Sequence, residues 1–275
     1  NNNALTTLPT LPSSIATVDC SSNQLTNLPS LPNSLGLLIC SNNNITVLPT
    51  LPNALYKLVC SVNPLSAGLP TLPNSLNILF CASNGLVSLP SLPNALQILD
   101  CQSNTLQAIP TLPNSLNTLI CSNNPLGNLP ALASLNVLDC QSDQLSTLPT
   151  LPNTLSILNC SSNSIISLPT LPNSLGNLTC SNNQIASLPT LPSSLAMLDC
   201  SYNQIHCFDA FHAIAYQLNI SNNPFTCLPN YIPVMDSVTL LYPLCAAGNP
   251  FNCPTSFGIV GFTYKDNNAT CLKDS

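Results

Sequence analysis

Apolar residues recur along this chain with a period of about twenty residues, and a cysteine closes each apolar run. The unit at residues 35–49 reads Leu-x-x-Leu-x-Cys-x-x-Asn-x-Ile-x-x-Leu-Pro, and the next unit begins with the same spacing at Leu55. Self-similarity at a fixed period of this length is the signature of a solenoid, whose repeats stack on their neighbours. The repeat cysteines lie 19 to 21 residues apart and are Cys20, Cys40, Cys60, Cys81, Cys101, Cys121, Cys140, Cys160, Cys180 and Cys200.

The alternation within each unit predicts one short β-strand per coil. Leu38 and Cys40 are two positions apart, so their side chains face the same side of a strand. Strands of successive coils then form a parallel sheet with a spacing of about 4.8 Å. Ile45 and Leu48 complete the shared core in this interpretation. The repeat cysteines stand at an apolar position, so we expect reduced thiols buried in that core.

An asparagine lies three residues after the cysteine position of nearly every coil. Its amide is expected to turn the chain and to bond backbone groups of its own and neighbouring coils, which predicts a ladder. Asp143 is the one substitution in this column, and its carboxylate accepts hydrogen bonds without donating them. The asparagines are Asn23, Asn43, Asn63, Asn84, Asn104, Asn124, Asn163, Asn183, Asn203 and Asn223.

The second half of each unit carries two prolines, as in the Leu-Pro-Thr-Leu-Pro of residues 48–52. Proline fixes φ and lacks an N–H, so this segment is expected to follow a polyproline-like path on the convex side, opposite the sheet. The spacing continues more weakly at Val238 and Leu240. The pattern therefore predicts a β-rich solenoid of about twelve coils over residues 1–240.

Charged residues make up only 4% of the chain, with three Lys, no Arg and a net charge of −6. Binding of nucleic acid is not expected, because phosphate contacts require clustered Lys and Arg. Membrane insertion is not expected, since no apolar run approaches the roughly 20 residues of a spanning helix. The one cluster of catalytic-type residues, at 202–212, has a spacing that matches no zinc pattern. We predict a protein that is not an enzyme and needs no cofactor.

The Leu-Pro-x-Leu-Pro repeat of 20 residues resembles the short bacterial subfamily of leucine-rich repeats, over residues 3 to about 240. That subfamily is known from secreted bacterial effectors and from surface proteins. Cysteine-rich repeats of this composition also resemble surface proteins of Bacteroidetes-type bacteria that use the type 9 secretion route. The resemblance implies a leucine-rich-repeat solenoid that is secreted or attached to the cell surface.

Near the C-terminus, Gly261-x-x-Tyr264-x-Asp266-x-Asn268 resembles the opening strand of a B-type immunoglobulin-fold module of bacterial adhesins. We therefore expect a solenoid over 1–240, a C-terminal cap over 241–256, and the start of a truncated immunoglobulin-like module or a linker over 257–275. Oxygen ligands at alternate positions make a weak calcium candidate of Asp266, Asn268 and Asp274. A polar strand-to-turn segment is the simpler interpretation, and no metal site is predicted.

Five cysteines lie outside the repeat column, and we expect disulfides among them at the C-terminal cap. Cys207 and Cys227 are one period apart, which favours a bond between adjacent coils. Cys245 and Cys253 bracket a short loop and form the second expected pair, with Cys271 left over. Disulfides indicate an oxidising, extracellular setting.

Repeat proteins bind through their concave sheet, and the exposed strand positions of this chain are apolar in its N-terminal half. A large exposed apolar patch marks an interaction site, and aromatic residues often anchor one. Asp100 lies at the margin and is expected to contribute specificity. The predicted ligand-binding residues are Leu37, Ile39, Val59, Ile78, Phe80, Ile98, Ile120 and Asp100.

The favoured function is adhesion or binding of a protein or glycan on another surface. Alternatively, the patch residues cover one another or form a homodimer, or the coils stack end to end in a spacer or filament. A second alternative is an ice-binding surface, because a hydroxyl recurs once per coil between the two prolines. That column is Thr10, Ser30, Thr50, Thr71, Ser91, Thr111, Thr150, Thr170 and Thr190.

Overall fold

The structure is a computed structural model that describes residues 2–132 and 134–245. Eleven strands of three residues each form one parallel sheet in which every strand pairs with its neighbours in sequence. The predicted architecture of one short strand per coil is therefore confirmed. The strands are β1 Thr17–Asp19, β2 Leu37–Ile39, β3 Lys57–Val59, β4 Ile78–Phe80, β5 Ile98–Asp100, β6 Thr118–Ile120, β7 Val137–Asp139, β8 Ile157–Asn159, β9 Asn177–Thr179, β10 Met197–Asp199 and β11 Gln217–Asn219.

The register of the sheet follows the repeat, since each residue pairs with its equivalent one coil further on. Leu38 of β2, for example, lies opposite Leu58 of β3. The middle residue of almost every strand is buried, whereas its two neighbours are partly exposed. This pattern follows from the period of two in a strand, which sends the middle side chain to one face and its neighbours to the other.

The ten repeat cysteines are buried free thiols that stack in the core, as predicted. Burial raises the pKa of the Cys60 and Cys160 thiols to about 12, so they stay protonated at neutral pH. A protonated thiol in an apolar core behaves as a small hydrophobic side chain. These cysteines therefore contribute packing rather than reactivity.

The asparagine column forms the predicted ladder of hydrogen bonds between coils. The Asn63 amide donates to the carbonyls of Cys40 and Cys60, each at 3.0 Å. Its Oδ1 accepts from the Ile45 N–H at 3.0 Å. One side chain thus satisfies backbone groups of two coils that would otherwise be buried without partners.

The residue before each ladder asparagine adopts a left-handed conformation, which explains why Ser and Asn dominate there. Val62 and Tyr202 are the two exceptions, with φ of 59° and 53°. A β-branched residue is strained in this region because its Cβ crowds the backbone. The repeat thus tolerates an exposed turn residue that its own backbone disfavours.

The chain departs from the predicted repeat after β11. A 3-10 helix at Thr239–Leu241 occupies the place of the expected twelfth coil, and Val238 and Leu240 are exposed. The end of the core is covered instead by stacked aromatic rings. The Phe225 ring lies 5.1 Å from Phe208 and 4.6 Å from Tyr242, measured between ring centroids.

A disulfide cross-links this end of the solenoid, as predicted, but its partners differ from those expected. Cys227 is joined to Cys245, with 5.0 Å between their Cα atoms. The chain folds back so that Leu228 and Leu244 form a parallel bridge, which brings the two cysteines side by side. This bond corrects both expected pairs, Cys207–Cys227 and Cys245–Cys253, because a sulfur atom forms only one disulfide. Cys207 is also disulfide-bonded.

Within residues 2–132 and 134–245, no helix has the length and apolar character needed to cross a lipid bilayer. The expected calcium ligands Asp266, Asn268 and Asp274 lie outside the described residues, as do Cys253, Cys271 and the expected immunoglobulin-like segment.

Candidate binding face

The predicted ligand-binding residues all lie on the exposed face of the sheet, in five consecutive strands. They occupy the first and third positions of β2 to β6, on either side of the buried middle residue. We use the name apolar patch for Leu37, Ile39, Val59, Ile78, Phe80, Ile98 and Ile120.

The patch residues form two rows that run across the strands. Ile39, Val59 and Phe80 are consecutive partners in the third-position row. Ile78 and Ile98 pair in the first-position row. Each of these side chains is partly exposed, because neighbours one coil away cover its flanks at the spacing of a parallel sheet. The result is an apolar surface that is interrupted in the third-position row by Asp100, between Phe80 and Ile120.

Lys57 interrupts the first-position row between Leu37 and Ile78. Its Nζ atom lies 5.7 Å from the centroid of the Phe80 ring, within the range of a cation–π contact. Lys57 is the only Lys or Arg among the described residues. Its stem therefore adds to the apolar surface, while its charged end lies over the one aromatic ring in the patch.

Tyr56 is a feature of this face that the sequence interpretation missed. A methyl group at Gly36 would lie 2.9 Å from Cε1 of the Tyr56 ring, so the ring rests directly on the Gly36 backbone. The Tyr56 side chain is 48% exposed, just before β3 and the patch. The signal was present in the sequence as a glycine one period before a tyrosine.

Replacing Gly36 with Ala is expected to lift the Tyr56 ring from the sheet edge while leaving the fold intact. The new methyl group needs several tenths of an ångström more room, and an exposed ring can move to provide it. Ring-proton NMR shifts of Tyr56 measure the displacement, with Gly176→Ala as control because its nearest neighbour would lie 3.7 Å away. Unchanged Tyr56 shifts in Gly36→Ala would contradict this packing.

The third-position row carries a carboxylate at Asp100, between Phe80 and Ile120, and another at Asp139, beyond Ile120. The Asp100 carboxylate accepts from the backbone N–H and the side-chain amide of Gln102, at 3.2 and 3.3 Å. Asp139 accepts from the Gln141 N–H at 3.2 Å and from the Asn159 amide at 3.1 Å. Burial raises the pKa of both carboxyl groups, and these hydrogen bonds partly offset the increase.

Other candidate chemistry is not assembled by the fold. His206, Asp209 and His212, which belong to the cluster of catalytic-type residues at 202–212, are exposed, and the chain from 209 to 215 is irregular. Among the described residues, no three His, Cys, Asp or Glu side chains cluster as metal ligands. The hydroxyl column from Thr10 to Thr190 is exposed along its length, and its role stays a prediction.

The stacked strands, the asparagine ladder and the short repeat define a leucine-rich-repeat solenoid, and comparisons with known proteins agree. YopM from Yersinia enterocolitica WA-314 is 37% identical, with a TM-score of 0.84, over 86% of this chain and 52% of that chain. YopM from Yersinia pestis, described as a leucine-rich effector protein, is 31% identical with a TM-score of 0.55, over 86% of this chain and 85% of that one. The chain therefore belongs to the leucine-rich-repeat family, and spans about half the length of the Yersinia enterocolitica structure.

A third structure shares the fold. The functional domain of InlJ from Listeria monocytogenes, described as including a cysteine ladder, is 22% identical with a TM-score of 0.52, over 78% of this chain and 60% of that chain. At this identity the likeness concerns the fold alone. No protein-family model matches the chain, and no curated protein matches it in sequence.

Proposed function

We propose that this chain is a non-catalytic protein-binding module that acts outside the cell, and that the apolar patch is its contact surface. The observation that carries the proposal is the alignment of seven apolar side chains on the exposed face of β2 to β6, in register, with only Lys57 and Asp100 between them in their rows. Leucine-rich-repeat solenoids present such faces to partners, and the single aromatic ring at Phe80 provides an anchor.

The setting proposed for this activity is an extracellular or surface-attached one. The Cys227–Cys245 disulfide supports it, because such bonds persist in oxidising compartments. The scarcity of charge supports a contact made through shape and apolar complementarity. An adhesin on a bacterial surface is the form of this function that we favour.

Replacing Phe80 with Asp is expected to weaken partner binding at least tenfold while the coils remain folded. The carboxylate removes the anchor and places a charge on a surface that the partner must desolvate. The measurement begins with a displayed peptide library selected on the parent protein. Titration calorimetry then gives the dissociation constants of the selected peptides for the parent and the variant.

Val87→Asp is the matched control, because Val87 is 59% exposed and lies after β4, outside the exposed strand positions. It is expected to bind the same peptides as the parent. Peptides that bind Phe80→Asp as tightly as the parent would place the contact elsewhere. A much lower melting temperature for Phe80→Asp than for Val87→Asp would show that Phe80 belongs to the core.

A further inference from the structure

The third-position row carries two carboxylates at the C-terminal margin of the apolar patch. Asp100 of β5 pairs with Ile120 of β6, and Ile120 pairs with Asp139 of β7. The two aspartates are thus two strands apart, a separation of about 9.6 Å at the usual spacing of a sheet. Ile120 lies between them, and its partly exposed side chain provides an apolar contact surface.

Neither carboxylate faces a cation of this chain among the described residues. Both accept hydrogen bonds only from neutral groups of Gln102, Gln141 and Asn159. Lys57, the one described cation, is engaged with the ring of Phe80, the strand neighbour of Asp100 on the N-terminal side. The hydrogen bonds hold the two side chains in place, so the carboxylates are ordered before any partner arrives.

The two carboxylates also disfavour each other. Burial raises the pKa of the Asp139 carboxyl, and the charge of Asp100 raises it further. Like charges on a partly desolvated face are unfavourable, and a cation placed between them would relieve both the repulsion and the loss of hydration. The chain has nine acidic residues against three lysines, so such a cation is scarce within the chain itself.

We propose that the protein partner places one arginine or lysine side chain on Ile120, between Asp100 and Asp139, while adjacent apolar residues of the partner cover the patch. The methylene stem of either residue packs on this apolar contact surface, and its head group reaches oxygen atoms on both sides. This inference rests on the proposed function and specifies the partner's chemistry. The partner segment therefore combines apolar side chains with one cationic side chain, which stands at the end of the segment that contacts Asp100 and Asp139.

The experiment selects peptides from a random displayed library on three proteins: the parent, the double variant Asp100→Asn/Asp139→Asn, and the control Asp209→Asn. Asn keeps the size and acceptor oxygen of Asp, and removal of two mutually repelling charges is not expected to lower the melting temperature. Asp209 is exposed and lies after β10, outside the exposed strand positions.

Peptides selected on the parent and on Asp209→Asn are expected to combine apolar residues with Arg or Lys. Their dissociation constants should rise at least tenfold for the double variant, and the selection on that variant should lose the cationic residue while it retains the apolar ones. Replacing the Arg or Lys of a selected peptide with Gln should weaken its binding to the parent and leave its binding to the double variant unchanged.

Selected peptides that lack enrichment in Arg and Lys, or that carry Asp and Glu, would overturn the inference. Binding of the double variant within twofold of the parent would also overturn it. In both cases the proposed function survives if Phe80→Asp still abolishes binding. Peptides that bind the parent and Phe80→Asp equally would instead contradict the proposed function itself.

Discussion

Replacing Asp143 with Asn is expected to stabilise the protein by about 3 kcal/mol at pH 8 and by much less at pH 4. Asp143 is fully buried in the asparagine ladder. Its Oδ1 accepts from the Asn124 N–H at 2.8 Å, and its Oδ2 lies 3.4 Å from the Cys121 thiol. An ionised carboxylate has no proton to donate there, whereas each neighbouring Asn donates to two cysteine carbonyls.

The pH dependence follows from the carboxyl group. Burial raises the pKa of Asp143 to about 7, and the charge of Asp139 contributes in the same direction. In the unfolded chain the pKa of Asp is about 3.9, so between about pH 4 and pH 7 the folded state binds more protons than the unfolded state. The favourable contribution of Asp143 is complete below pH 4 and is lost as the pH rises through 7.

Chemical denaturation of the parent and of Asp143→Asn from pH 4 to pH 8 measures this effect. The parent should lose stability across the interval, while the variant should keep only the weaker slope of the same sign from Asp100 and Asp139, whose pKa values burial also raises. Asp209→Asn is the control, because Asp209 is exposed and lies outside the ladder. Parallel pH profiles for the parent and Asp143→Asn would contradict a buried, neutral Asp143.

The chain around Asp143 also departs from the regular repeat in its length and its backbone conformation. The sequence indicates only the first of these departures. The step from Cys121 to Cys140 is the shortest, at 19 residues. Both Ser142 and Gln144 have positive φ, of 57° and 61°. Ser83 and Gly85 do the same at the equivalent positions of an earlier coil, but there the second residue is a glycine. The substitution of Asn by Asp therefore lies directly before a non-glycine residue, Gln144, in the left-handed region that glycine favours.

Most of the fold could be predicted because each repeat position has a local reason for its residue type. Leu38 and Cys40 face the core through the two-residue period of a strand, and Asn43 closes the turn with its own amide. Stacking identical coils then fixes the parallel register, since each residue meets its equivalent one coil away. A repeat supplies its long-range contacts from a local pattern, so the sequence determines the solenoid almost completely.

The C-terminal end was predicted less well because the pattern stops there. Spacing alone favoured Cys227 with Cys207, but the disulfide depends on the return of the chain after the 3-10 helix, which brings Leu244 beside Leu228 in a parallel bridge. The support of Tyr56 by Gly36 is likewise a contact between side chain and backbone of different coils. Both features are tertiary contacts formed by single residues, and the residue types shared by all repeats specify neither of them.

The ladder itself can be tested at Asn104, where replacement with Ala is expected to cost about 3–5 kcal/mol of stability. Asn104 Oδ1 accepts from the N–H groups of Asn84 and Leu86, each at 3.0 Å. Its amide donates to the carbonyls of Cys81 and Cys101 at 3.0 and 2.9 Å. Truncation leaves these buried backbone groups without the partner that joins the two coils, and it also opens a small cavity.

Gln107→Ala is the matched control, because Gln107 is an exposed polar residue of the same coil. Its effect on the free energy of unfolding should stay within about 0.5 kcal/mol. Amide hydrogen exchange should show lost protection in the Asn104→Ala variant at Asn84 and Leu86, whose N–H groups face the missing side chain. Retained protection at both amides, or a cost as small as that of Gln107→Ala, would mean that strand pairing and core packing hold adjacent coils together without the ladder.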